Sequence, residues 1–201
     1  MTYVPKVHFD GQDKFVVESG GELNVKSGAV MRGVAALQYA SIAPSAEVEN
    51  TITETAFDED YTIAAGSTEV GDVFRIRGVA RVIDNNSTDT LTLRLRIAGT
   101  DIIATAAVDV ADNDVGYFDV LVTVQVVSAT TCTVVASGVQ ALGVPGTVTA
   151  KPFVLAGSTV TNWGTDNPAT IDVTAQWSVA HADNEVRLEQ LVVEKIAKLA
   201  A

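Results

Sequence analysis

Two runs of this chain alternate apolar and polar residues with a period of two, a pattern that suits a strand and no helix. TLTLRLRIAG at 90–99 puts Leu91, Leu93, Leu95 and Ile97 on one face and Arg94 and Arg96 on the other. DVFRIRGVARVI at 72–83 sets Phe74 and Ile76 against Val73, Arg75 and Arg77. Between them lies DNNSTD at 84–89, a cluster of turn-forming residues. Two alternating runs around a polar turn predict a β-hairpin.

The same vocabulary continues on both sides. YTIAAG, DIIATAAVDV, VGYFDVLVTVQVVS, TCTVVASGVQAL, TVTAKPFVLAG and IDVTAQWSVA supply further strands. VPG at 144–146 has Pro and Gly where a type II turn requires them. The closing run NEVRLEQLVVEKI fits a strand or a helix by spacing, and the strand is preferred in its context. Val115 to Ser128 is apolar on both parities around Val120 to Val127, as expected of a central strand or a subunit contact. Some eight strands with regular turn signals predict an all-β fold, an antiparallel, jelly-roll-like β-sandwich of two four-stranded sheets spanning 49–201.

Two segments precede it. Residues 1–33 contain two near-copies, VESGGELN and VKSGAVMR, offset by 8 residues. Two strands at Ser-Gly turns are too small to be stable alone, and a solenoid needs about three or more repeats. Residues 1–33 are therefore expected to be a β-rich attachment segment completed by another chain, with Val17, Leu23, Val25 and Val30 as its apolar contacts. Residues 34–48, Ala-rich and interrupted by Pro44, are expected to be a linker or short helix.

Composition narrows the function classes. Of 201 residues, 47% are hydrophobic and 19% charged, which excludes a disordered chain. The net charge of −12 gives no general attraction to nucleic acid or an anionic membrane. No apolar stretch approaches the roughly 18 residues of a membrane helix, and MTYVPKVHFDGQDK has no signal-peptide core. Cys132 is the sole cysteine, so no intrachain disulfide forms. His8 and His181 sit in no nucleophile or zinc motif, and His181 in SVAHADNE reads as an exposed loop residue. Cys132 reads as a buried, inert thiol. DNNSTD and VDVADND are rich in oxygen ligands but lack calcium-loop spacing, and turn chemistry accounts for them. The reading is of a noncatalytic protein without metal or cofactor.

Two features point to contacts. Trp163, in the polar loop TNWGTD, is expected to be exposed, either stacking on a sugar ring or, the favoured reading, anchoring a subunit. If the two alternating runs pair as a hairpin, Arg75, Arg77, Arg94 and Arg96 share its non-core face, with Arg81 near the turn. Either carboxylates such as Asp72 and Asp101 balance them on a solvated face, or they line a contact with an acidic neighbour.

The stretches ENTITETAFDEDYTIAAGSTEVGDVFRIRGVARV, STDTLTLRLRIAGT, GVQALGVPGTVTAKPF and NEVRLEQLVVEKI resemble tailed-bacteriophage virion proteins of the head-fibre or capsid-decoration type. The likeness spans about 49–196. It implies a structural role in the virion, assembled in the host cytoplasm, with attachment through an N-terminal segment and a homotrimeric state. The partner would be the major capsid protein or another virion protein. Only two beats and no heptads favour a compact knob on a short foot over a long shaft. The alternative function is a carbohydrate- or receptor-binding module of a phage tail or head fibre, with a host glycan as partner.

Overall fold

The structure is a computed structural model that describes residues 7–9, 15–17, 35–86 and 88–196. The chain divides into two units, Met1–Met31 and Arg32–Ala201. In the first, β1 (Val7–Phe9) pairs antiparallel with β2 (Phe15–Val17), Val7 opposite Val17.

The second unit is all β: two antiparallel sheets pack face to face as a sandwich. Its strands in chain order are β3 (Ala35–Ala40), β4 (Glu47–Glu49), β5 (Thr55–Ala56), β6 (Tyr61–Ile63), β7 (Val73–Asp84) and β8 (Thr90–Ile97). Then follow β9 (Thr100–Ala104), β10 (Val108–Asp109), β11 (Val115–Val127), β12 (Thr131–Gly143), β13 (Lys151–Thr161), β14 (Ala169–Trp177) and β15 (Glu185–Ile196). The larger sheet runs β13-β12-β11-β7-β15-β3, with β4 sharing the outer side of β15. In the smaller, β8 and β14 form the centre. β9 and β10 take turns along the free side of β8, and β5 and β6 along that of β14. Among the described residues the sheets therefore have seven and six strands rather than four each.

The predicted hairpin is not formed. β7 pairs with β11 and β15, whereas β8 pairs with β14, so residues 84–89 carry the chain from one sheet to the other. Strand alternation is the same in both arrangements, because an apolar stripe is buried equally by a hairpin or by an opposing sheet. The crossing lets the core faces of β7 (Phe74, Ile76, Ala80, Val82) and β8 (Leu91, Leu93, Leu95, Ile97) oppose one another in the core. Burying each of the larger side chains contributes about 1.5–3 kcal/mol. A second crossing, from β14 to β15, runs alongside the first, since β7 neighbours β15 and β8 neighbours β14.

Asn184 ties the two crossings together. It is fully buried, and its Oδ1 accepts from the Asn86 backbone N–H at 3.0 Å. Its Nδ2 donates to Asp89 Oδ2 at 2.9 Å and to the Val179 carbonyl at 3.0 Å. Its backbone N–H donates to the His181 carbonyl and its own carbonyl accepts from Asn50.

Of residues 34–48, expected to be a linker or short helix, the described ones, 35–48, are neither. They hold β3 and β4, both hydrogen-bonded to β15. Between these strands Ser41 and Ser45 each exchange two bonds with β15. Their N–H groups donate to the Leu191 and Leu188 carbonyls, while their hydroxyls accept from the N–H groups of the same residues at 2.9 Å. Pro44, which the sequence reading takes as a stop, sits in the short excursion between the serines, where no donor is required of it.

The closing run is a strand, as expected. Its mixed spacing has a cause: register shifts between Leu188 and Gln190 opposite β7. Val186 and Leu188 face the core before this bulge, and Leu191 and Val193 after it. A bulge thus imitates the i, i+3 spacing of a helix. At 144–147 the expected turn is present, with Gly146 at φ 77° and Thr147 N–H bonded to the Val144 carbonyl at 3.2 Å. Val115 to Val127 is central in its sheet, but only one face is buried, since Leu121 and Val126 stand 41% and 55% exposed.

Two outcomes follow. Asn184→Ala unpairs several buried groups and should lower unfolding free energy by about 2–4 kcal/mol in urea titrations. Truncation before residue 49 strips β3 and β4 from β15 and removes the core residue Val48, so its melting temperature should fall well below that of a chain starting at residue 34.

Candidate interaction surfaces

The four arginines do not share a face. Arg75 and Arg77 project from the outer side of the larger sheet, Arg94 and Arg96 from the outer side of the smaller one. Each alternates with a buried apolar neighbour, which fixes the direction it faces.

On the larger sheet Arg75 grips Asp119 of β11 with two bonds, Nε to Oδ1 at 3.0 Å and Nη2 to Oδ2 at 2.7 Å. Asp119 sits diagonally across the ladder, because Arg75 is directly opposite Leu121. This bond holds the Asp119 carboxyl below its ordinary range and raises the Arg75 pKa. Asp119 also accepts from the Tyr117 hydroxyl at 3.2 Å. Arg77 reaches Glu194 of β15 at 3.4 Å, and Arg81 and Arg187 converge on Glu189 at 3.3 and 2.9 Å.

On the smaller sheet two carboxylates serve two guanidiniums. Glu54 lies 3.6 Å from Arg94 and 3.0 Å from Arg96, and it accepts from the Thr174 hydroxyl at 2.8 Å. Asp101 approaches Arg94 at 3.6 Å and Arg96 at 3.1 Å. Asp172 stands opposite Arg96 on β14; burial raises its pKa, and Arg96 opposes that shift. Of the carboxylates expected to balance the arginines, Asp101 does so. Asp72 instead pairs with Lys195 at 2.7 Å, and Lys195 lies over the Phe74 ring. The geometry is that of balanced charge ladders on two solvated faces.

Trp163 is not exposed. It is fully buried, meets Phe74 edge-on at 5.9 Å between centroids, and donates its Nε1–H to Thr68 Oγ1 at 3.0 Å. It therefore neither stacks on a sugar nor anchors a subunit. The loop turns inward because Asn162 takes a left-handed conformation, φ 59°. Thr165 and Asp166 then bond to the Ser128 and Ala129 carbonyls. Gly164 is needed at this contact, since a Cβ there would lie 2.5 Å from the Ala129 carbonyl oxygen.

The remaining candidates are occupied by structural work. Cys132 is buried in the core, and burial pushes its thiol up to about 11. His181 is half-exposed, with Nδ1 accepting from the Asp183 N–H at 3.2 Å. In DNNSTD and VDVADND several oxygens are engaged within the fold: Asp84 and Asp112 accept from the Asn85 N–H, Asp114 from the Ala111 N–H, and Asp89 from the Asn184 amide. Among the described residues no group of three or more His, Cys, Asp or Glu is disposed to hold a metal ion. A cavity of about 150 Å³ is lined in part by Thr105, Val108, Gln140, Leu142 and Lys151, below the usual 300 Å³ or more of a small-molecule site. Of the proposed docking residues, Val17 lies on β2 opposite Val7, while Leu23, Val25 and Val30 fall outside the described residues.

One surface was missed by sequence reasoning. Glu185 stands opposite both Glu49 and Asp84, so three carboxylates line up across β4, β15 and β7. Burial raises the Glu185 pKa, reinforced by Glu47, Glu49, Asp84 and Asp183. Nothing in the local sequence signals this row, because it depends on the register of three distant segments.

Both tryptophans are buried, so emission should be blue-shifted and resistant to iodide quenching; Trp163→Ala should cost about 3–5 kcal/mol in chemical denaturation. Glu185 binds its proton more tightly in the folded than in the unfolded state, so its ionisation opposes folding once pH exceeds the folded pKa. Glu185→Gln should therefore raise the melting temperature at neutral pH, and the gain should vanish at about pH 3.5, where the carboxyl is protonated in the unfolded as well as the folded state.

No protein-family model matches this chain, and no curated protein matches it in sequence.

Proposed function

We propose that this is a noncatalytic structural protein of a tailed-phage virion, docking through residues 1–33 onto the major capsid protein or another virion protein. The sandwich projects outward as a decoration or short head fibre, with three copies assembled as a homotrimer. The observation that carries this reading is the division of the chain at Met31 and Arg32. The described strands before it, β1 and β2, have three residues each, too short for independent stability in water. Strand addition to a partner sheet would give such a segment further backbone hydrogen bonds and apolar cover.

Charge supports the same division of labour. Residues 1–33 contain four basic and four acidic side chains, so the net charge of −12 belongs entirely to the remainder. A neutral foot approaches a protein surface without long-range repulsion, while an acidic knob stays soluble and keeps away from nucleic acid. With Trp163 in the core, the glycan-binding alternative loses the side chain that motivated it.

Deleting residues 1–33 should leave a cooperatively melting sandwich that fails to join particles when co-expressed with the other virion proteins. Normal incorporation of the truncated chain would overturn the docking role. A monomer in light scattering of the full chain at micromolar concentration would overturn the trimer. Saturable binding of host surface polysaccharide by the truncated sandwich would replace this function with the glycan-binding one.

A further inference from the structure

We draw no further inference here: the strongest candidate, the exposed apolar patch around Leu121 and Val154 on the outer face of strands β11–β13, carries nothing because nothing in the structure shows what covers it.

Discussion

The sandwich depends on the corner where two strands change sheets side by side. β7 passes into β8 while β14 passes into β15, and the hydrogen bonds of Asn184 hold the two connections together. A buried amide satisfied at both ends specifies geometry as well as adding stability, because any shift of either connection leaves it unpaired in low dielectric. Asparagine suits this position for definite reasons. Aspartate has the same reach but lacks the N–H donors that Asp89 and the Val179 carbonyl require. Leucine would fill the space and orphan both of them, along with the Asn86 N–H. With the corner set, β7 and β8 face each other through the core, and the other strands add to one sheet or the other.

The charge ladders follow from that arrangement. Once Phe74, Ile76, Leu93 and Leu95 face inward, period two sends Arg75, Arg77, Arg94 and Arg96 to the two outer faces. Each exposed pair is worth about 0–1 kcal/mol, too little to drive folding. Their contribution is to register. A slip of one residue along β7 would bring Arg75 into the core and point Phe74 to water, and would also break the two-bond contact with Asp119. Glu54 acts likewise on the smaller sheet: it comes from the short segment before β5 yet contacts β8 and β14 together. The Asp119 carboxyl is stabilised in its ionised form, so its share of stability is present above the ordinary Asp range and lost as pH falls through its lowered pKa. Glu185 acts in the opposite sense.

Period-two alternation made the strand identity and facing of 73–83 and 90–97 legible in sequence, and the Pro-Gly pair at 145–146 made its turn legible. The partners of those strands were not, because alternation is indifferent to whether the next apolar face lies beside it or opposite. The all-β sandwich survives that ambiguity; the shared arginine face does not. Trp163 shows a second limit. Its polar neighbours describe the surface of the loop, but the left-handed Asn162 and the close approach at Gly164 turn the indole inward, and neither follows from composition. At 34–48, alanines and Pro44 outweighed the serines locally. The serines prove decisive because β15 offers them donors and acceptors more than 140 residues away in sequence.

The distribution of charge gives the proposed assembly a physical constraint. A domain that carries all of the net −12 repels its own copies at distances up to about a Debye length, some 8 Å at physiological ionic strength. The row formed by Glu49, Glu185 and Asp84 sets like charges opposite one another even within one chain, where cross-strand pairing would ordinarily favour opposite charges. The net charge therefore opposes the approach of one copy of the sandwich to another. Were three of them held on a particle as proposed, their contacts would act through burial and backbone pairing rather than net charge. Residues 1–33, whose basic and acidic side chains balance, carry none of that repulsion, and their described strands have only three residues each. The foot, rather than the knob, is where the proposed assembly would gain its affinity.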